Sequence, residues 1–245
     1  MKIKVINPNT TLSMTRSIGE AARAAVSEGT IIEAVSPSMG PVSIEGHYDE
    51  ALASVGVIDE VRKGEADGVD AYVLACFGDP GLMAARELAT GPVIGIAQAA
   101  FHAASFAGRS FAIVTTLGRT LGRARDLVLE YGFERQCVAY RACEVPVLGL
   151  ESDEEGSYQA LEAECLDVLD STHADAIVLG CAGMAKMCAR LSDRLGVPVV
   201  DGVAAGAAFA ESLVRIGVGT CKTGEFAAPL PKQVDGLLES FSVSE

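Results

Sequence analysis

Large aromatic side chains are scarce in this sequence. Tryptophan is absent, and aromatic residues make up only 5% of the 245 residues. Glycine, in contrast, occurs 26 times, and alanine is frequent throughout. Because small side chains let one backbone approach another closely, this composition predicts helices that pack tightly against a sheet.

Positive charge and long apolar runs are also in short supply. Lys and Arg number 19 against 33 Asp and Glu, which gives a formal net charge of -14. A surface this acidic repels nucleic acid and anionic lipid. No stretch reaches the roughly 18 apolar residues of a membrane span, and the first residues, MKIKVI, run straight into a strand pattern without a signal segment. We therefore expect a cytoplasmic protein whose partner is a small molecule.

The spacings that hold metals or form a disulfide framework are missing as well. The seven cysteines are odd in number and irregularly spaced, which is typical of reduced thiols. There is no Cys-x-x-Cys pair, and His47, His102 and His173 lie far apart in the sequence. Residues 217–223 (GVGTCKT) resemble a phosphate loop only loosely, because cysteine precedes the lysine where glycine is needed. We expect no bound metal.

Short aliphatic runs alternate with longer helical patterns along the whole chain. This rhythm is typical of βαβ units, and it predicts an α/β fold with parallel sheets covered by helices on both faces. Open parallel sheets bind ligands at the carboxyl ends of their strands. The predicted strands are residues 3–6, 71–75, 93–96, 111–115, 176–180 and 197–200.

An internal repeat is the most informative feature of the sequence. Residues 70–78 (DAYVLACFG) align with residues 175–183 (DAIVLGCAG), about 105 positions later. The match predicts two pseudo-symmetric α/β halves with the active site in the cleft between them. We assign residues 1–97 and about 208–245 to the first half, and residues 98–207 to the second.

Cys76 and Cys181 are the cysteines that share a position in the repeat. Each follows a predicted strand, where the next backbone amides and a helix dipole can lower the pKa of the thiol below about 8.5. A cysteine can also be simply a small buried hydrophobic residue. Repetition of the Cys-x-Gly pattern favours function for this pair, and the structural interpretation is kept for the other five, Cys137, Cys143, Cys165, Cys188 and Cys221.

Several polar residues stand where a ligand could contact them. Asn7, Thr115 and Thr116 end the first strand of each half, although such residues also cap helices and form turns without any ligand. Ile44 follows a loop rich in Pro and Gly that is long enough to close over a cleft. The acidic pattern at residues 151–170 is better explained as a solvated helix face than as a set of catalytic carboxylates.

Five short motifs together resemble a known family. They resemble the hydantoin racemases, including allantoin racemase, within the aspartate/glutamate racemase superfamily, and the resemblance covers essentially the whole chain. The motifs are residues 7–11 (NPNTT), 43–46 (SIEG), 75–81 (ACFGDPG), 178–184 (VLGCAGM) and 196–201 (GVPVVD).

The resemblance implies a cofactor-independent racemase of 5-substituted hydantoins, with allantoin as the leading substrate, that works as a homo-oligomer. It also implies one cysteine on each side of a flat ring. Chemistry agrees, because loss of the proton at C5 gives a planar enolate that one thiol can create and the opposite thiol can protonate. As donors to the enolate and ring we expect the amides around Phe77, Gly78 and Gly183, together with Thr115 and Thr116.

Other functions remain open from the residues alone. An Asp/Glu-type amino-acid racemase would need basic side chains for its carboxylates, and the motif strands supply none. An enzyme like arylmalonate decarboxylase needs one protonating thiol rather than two, and a maleate isomerase shares the same fold. A small-molecule binding protein would also use two lobes, but binding alone does not explain the matched cysteines.

The missing ligand spacing leads to a test with chelators. We expect racemase activity to survive exhaustive dialysis against EDTA, because proton transfer between two thiols needs no Lewis acid. Polarimetry before and after dialysis, with metal analysis of the protein, measures this. Activity that disappears and returns only with added zinc would rule out the two-thiol mechanism.

Overall fold

A computed structural model describes residues 1–243, which form eight β-strands and nine α-helices. Strands and helices alternate, as the aliphatic runs predict. The strands are β1 (Lys2–Ile6), β2 (Ile31–Val35), β3 (Ala71–Leu74), β4 (Val93–Gly95), β5 (Phe111–Thr115), β6 (Cys137–Ala142), β7 (Ala176–Leu179) and β8 (Val199–Val200). The helices are α1 (Leu12–Ala24), α2 (His47–Ala66), α3 (Leu82–Leu88), α4 (Ile96–Ala107), α5 (Leu121–Glu130), α6 (Gly149–Ser152), α7 (Glu154–Thr172), α8 (Cys188–Leu195) and α9 (Gly202–Arg215).

The strands form two sheets with the same topology. One has the order β2-β1-β3-β4 and the other β6-β5-β7-β8, and every pair within them is parallel. The central strands β3 and β7 are buried along their whole length. Such strands read as continuous aliphatic runs because both faces are covered. The prediction of two pseudo-symmetric parallel α/β halves is confirmed.

Two strands escaped the sequence pattern, and both lie at the edge of a sheet. β2 and β6 are only partly buried, and each carries a charged residue, Glu33 in β2 and Arg141 in β6. An edge strand needs no continuous aliphatic run, because water reaches one side of it. The predicted strand 93–96 was one residue too long, since Ile96 already begins α4.

The strand register places the two repeated cysteine segments at equivalent positions. The Ala75 amide donates to the Ile6 carbonyl (2.8 Å), and the Gly180 amide donates to the Val114 carbonyl (2.8 Å). Each of these bonds extends the pairing of a central strand by one residue past its end. The next residue in both halves is the cysteine, which therefore leaves the sheet at its carboxyl edge.

The two halves exchange one helix each. α4 follows the first sheet but packs on the second, where Phe101 joins a core with Phe111 and Val178. α9 follows the second sheet but packs on the first, where Val203 and Ala207 contact its central strands. The exchange lies in the two regions where the division at residues 97 and 208 is predicted. That division remains a prediction. Residues 244–245, which it assigns to the first half, lie outside the described residues.

Small residues allow α4 and α9 to cross closely. A Cβ atom at Gly202 would lie 2.5 Å from the Ile96 carbonyl oxygen, which is closer than such atoms approach in proteins. Only glycine fits at this contact between the first turns of the two helices. The abundance of glycine and alanine thus matches tight packing, as the composition predicts.

The C-terminal segment lies on the surface. Residues Gly236–Phe241 form short 3-10 turns, and Leu237 is fully exposed. The acidic helix predicted at residues 151–170 corresponds to α6 and α7, which present many of their carboxylates to solvent. Across residues 1–243, no helix combines the length and apolar character needed to cross a membrane.

A buried carboxylate ties the first cysteine segment to the exchanged helix. Asp79, 3% exposed, accepts hydrogen bonds from the backbone amides of Ala97 (3.1 Å) and Gln98 (3.1 Å) at the start of α4. The Tyr131 hydroxyl donates a third bond at 2.9 Å. Burial raises the pKa of Asp79 to about 6, although these hydrogen bonds and Arg123 act in the opposite direction.

The raised pKa of Asp79 predicts a specific pH dependence of stability. A carboxyl that is harder to ionise in the folded protein stabilises the fold below pH 4, and this contribution is lost as the pH rises through 6. The free energy of unfolding of the wild type minus that of Asp79→Asn should therefore fall between pH 4 and pH 6, by up to about 3 kcal/mol. Urea unfolding across this range measures the difference.

Asp175→Asn is the matched control for this measurement. Hydrogen bonds from Ser110 and Arg109 lower the pKa of Asp175, so its difference curve should rise with pH through the acid range. Parallel curves for the two variants would contradict the assignment of a raised pKa to Asp79.

Candidate active site

A narrow cleft at the carboxyl edges of both sheets contains Cys76 and Cys181. Its cavity volume is about 60 Å³. Both halves contribute to its walls. The lining residues are Asn9, Met14, Ile44, Gly46, Glu50, Ala75, Cys76, Phe77, Gly78, Thr115, Thr116, Thr120, Arg123, Ala124, Val147, Gly180, Cys181 and Ala182.

The two thiols have matching backbone surroundings. Cys76 follows β3, and its sulfur lies against the backbone amide of Gly78. Cys181 follows β7, and its sulfur lies against the backbone amide of Gly183. In both halves the amide two residues after the cysteine therefore faces the thiol, as expected for repeated Cys-x-Gly segments. Hydrogen bonds from these amides favour the thiolate.

The expectation of low thiol pKa values was wrong. Burial raises the pKa of Cys181 to about 11, even though the Gly183 amide lowers it. Burial raises the pKa of Cys76 still further, and the nearby charges of Cys181, Glu50 and Asp79 add to the increase. Removal of a thiolate from water costs more than one amide hydrogen bond returns. Both thiols are therefore protonated at neutral pH.

Five of the seven predicted substrate-contacting residues line the cleft: Ile44, Phe77, Gly78, Thr115 and Thr116. The Thr115 hydroxyl already donates to the Gly180 carbonyl (2.9 Å) and so fixes the end of β7. The Thr116 hydroxyl donates no hydrogen bond to another described residue. Of the two threonines, Thr116 is the one with a free donor.

Asn7 and Gly183 are not among the residues that line the cleft. The Asn7 side chain is buried and donates to the side chains of Asn9 (2.9 Å) and Thr15 (3.0 Å). It thereby shapes the turn that places Asn9 in the wall. Gly183 lies behind Cys181 and lines a neighbouring groove instead.

Three polar lining residues were missed by the sequence analysis: Glu50, Thr120 and Arg123. Each comes from or just before a helix rather than from the end of a strand, so the rule about strand ends does not find them. The acidic start of α2 was the one available signal for Glu50. Arg123 is the basic side chain in the cleft that the motif strands alone do not supply.

Glu50 and Arg123 meet across the two halves. The Glu50 Oε2 atom lies 3.6 Å from the Arg123 Nε atom, and both side chains are largely buried. Arg123 also donates two hydrogen bonds to the Gly78 carbonyl, from Nε (3.1 Å) and Nη2 (2.8 Å). A Cβ atom at Gly78 would lie 2.3 Å from Glu50 Oε1, so only glycine leaves room for this carboxylate.

The loop before α2 covers the cleft and contacts the second half. The carboxylate of Glu45 accepts a hydrogen bond from the Val147 amide (2.8 Å). At its other end the loop accepts hydrogen bonds at Pro41 from Thr10 (2.9 Å) and at Val42 from Thr11 (2.7 Å). These contacts hold Ile44 in the wall of the cleft. Nowhere along residues 1–243 do three or more His, Cys, Asp or Glu side chains gather in a way that could hold a metal.

Comparisons with known proteins agree with this architecture. The family model described as Asp/Glu/Hydantoin racemase matches residues 3–210. Hydantoin racemases from Pseudomonas sp. (strain NS671) and Rhizobium meliloti are both 48% identical, over 98% and 96% of this chain and 97% and 98% of their own. The structure of allantoin racemase from Klebsiella pneumoniae superposes with a TM-score of 0.96 at 50% identity, over 99% of each chain. The chain therefore belongs to the Asp/Glu/hydantoin racemase family and is an isomerase.

Proposed function

We propose that this racemase inverts C5 of 5-substituted hydantoins, and of allantoin in particular, with Cys76 and Cys181 as its acid/base pair. One observation carries the proposal: two thiols from equivalent strand ends of two similar sheets line one narrow cleft. The similarity to proteins known as hydantoin racemase and allantoin racemase supports this substrate class.

Inversion removes the proton from one face of C5 and adds a different proton to the other face. One cysteine, as thiolate, takes the proton from C5, and the C–H electron pair becomes the enolate that spreads onto the adjacent carbonyl. The opposite thiol then donates its own proton to the other face of C5. The enzyme ends with the protonation of its two cysteines exchanged, which is the form that accepts the opposite enantiomer.

The raised thiol pKa values suit this reaction. A thiolate whose conjugate acid has a pKa near 11 is a stronger base toward carbon than an ordinary cysteine, although less of it is present at neutral pH. Once formed, it accepts a hydrogen bond from the amide behind it, Gly78 for Cys76 and Gly183 for Cys181. Burial therefore makes the thiolate less abundant at neutral pH but a stronger base once it forms.

The remaining predicted residues receive supporting roles. Ile44 and Phe77, which line the cleft, would flank a flat ring, and the free Thr116 hydroxyl would donate to a carbonyl oxygen. Asn7 acts through Asn9, which it holds at the wall. Because amides and hydroxyls are available for the developing charge, the reaction needs no cofactor. In keeping with the family resemblance, we propose a cytoplasmic homo-oligomer.

Racemisation of a free amino acid is the weaker alternative. Arg123 could attract a carboxylate, but Glu50 lies 3.6 Å from it and opposes a second negative charge. Decarboxylation needs only one protonating thiol and leaves the second cysteine without a role. A binding protein would not require either thiol.

The proposed mechanism predicts a specific pair of defects. Racemisation of allantoin should fall by about 100- to 10,000-fold in both Cys76→Ser and Cys181→Ser, because inversion needs an acid and a base on opposite faces. Each variant should still exchange the C5 hydrogen of one enantiomer with heavy water, and the two should prefer opposite enantiomers. Chiral chromatography with mass spectrometry measures both quantities.

Cys165→Ser is the matched control, since Cys165 is buried in the core beside the second sheet and away from the cleft. It should racemise and exchange like the wild type. A serine variant at position 76 or 181 that still inverts allantoin at a near wild-type rate would refute the two-cysteine assignment.

A second prediction concerns the order of alkylation. At pH 7.5, iodoacetamide should label Cys221 before Cys76 and Cys181, because Cys221 is exposed and hydrogen bonds from Thr223 lower its pKa. Labelling of Cys181 should accelerate as the pH rises toward 11. Peptide mapping by mass spectrometry gives the order, and Cys221→Ser should leave only the slow phase. Labelling of Cys76 and Cys181 first at pH 7.5 would contradict the raised pKa values.

A further inference from the structure

The wall of the cleft is charged at one place only among the described residues. Most lining side chains are apolar or small, including Met14, Ile44, Val147 and Ala182. Glu50 and Arg123 are the exceptions, and they lie beside Gly78 on the Cys76 side. Because the rest of the cleft suits a neutral ring, binding of the ring does not explain the presence of this charged pair.

Both members of the pair have unused hydrogen-bonding capacity. Within residues 1–243 the Glu50 carboxylate accepts no hydrogen bond, since its contacts with Arg123 (3.6 Å) and His47 (3.9 Å) are too long. Its side chain is only 20% exposed. Arg123 uses Nε and Nη2 on Gly78, while its Nη1 atom has only a 4.0 Å contact with Glu130.

The cleft therefore presents a free acceptor and a free donor side by side. A ureido group has the complementary pattern, because its N–H groups donate and its carbonyl accepts. We propose that Glu50 and Arg123 form the subsite for the substituent at C5 and select hydantoins whose substituent carries a neutral group of this kind. This proposal rests on the proposed function and names the substrate class within it.

The charges of the pair explain which substituents the subsite disfavours. An anionic substituent meets Glu50, and a cationic one meets Arg123, so each attraction is opposed by a repulsion close by. An alkyl or benzyl substituent would leave a desolvated carboxylate without a donor. Sites built to hydrogen-bond a ligand strongly disfavour analogues that lack the bonding group.

The test compares two substrates on variants of the acidic residue. Wild-type protein, Glu50→Gln and the control Glu130→Gln are assayed with allantoin and with 5-isopropylhydantoin. We expect the wild type to prefer allantoin, and Glu50→Gln to lower the ratio of the two kcat/KM values by about tenfold or more, mainly through the KM for allantoin. Glu130 also neighbours Arg123 but lies outside the lining, so Glu130→Gln should keep the wild-type ratio.

Each possible result either supports or overturns the subsite. Equal losses for both substrates in Glu50→Gln would show that Glu50 acts only by holding Arg123 and Gly78, and an unchanged ratio would show that the carboxylate does not read the substituent. If Glu50→Gln does not fold, Glu50→Asp, which keeps the charge but withdraws it from the cleft, is judged by the same ratio.

A wild-type enzyme that racemises 5-isopropylhydantoin as well as allantoin overturns this inference and leaves the proposed function intact. A wild type that racemises neither refutes the proposed function itself.

Discussion

The close crossing of α4 and α9 is the contact on which the rest of the structure depends. Each helix leaves one sheet and packs on the other, so the two carboxyl edges can face each other only as far as this crossing allows. Gly202 sets the distance, because the Ile96 carbonyl occupies the space of any larger side chain. Asp79 then fastens the start of α4 to the segment that carries Cys76. Through Asp79, the position of α4 at the crossing is therefore linked to the position of Cys76 in the active site.

Burial is the second constraint, and it changes the chemistry of the thiols. Turns after β3 and β7 do place amides beside both sulfur atoms, but the cleft also removes water from them. The balance favours the neutral thiol in both halves, with the larger effect at Cys76. Burial is the main cause of the raised pKa at both sulfur atoms, and carboxylates add to it, Glu50 and Asp79 at Cys76 and Glu45 at Cys181. The two sites are thus similar in backbone and different in electrostatics. Asymmetry of this kind is expected where two equivalent loops meet unequal neighbours.

The charged residues at the edge of the cleft lie on helices outside the two repeated segments, residues 70–78 and 175–183. Glu50 lies in the first turn of α2 and Arg123 lies on α5, so the pair links the two halves as well as lining the cleft. The loop before α2 makes another link through Glu45 and Val147. The charged part of the cleft wall therefore belongs to the contact between the two halves rather than to either half alone.

The sequence by itself determined the parallel α/β halves, the strand ends that carry Cys76 and Cys181, and the amides of the Cys-x-Gly turns. These features are local, because a strand buried on both faces must be aliphatic and its first turn follows directly in the chain. Edge strands β2 and β6 were missed because water on one side removes that requirement. Only the tertiary structure decided the pKa values of the thiols and the meeting of Glu50 with Arg123. Burial and contacts between distant helices depend on which surfaces pack together, and no short segment of sequence contains that information.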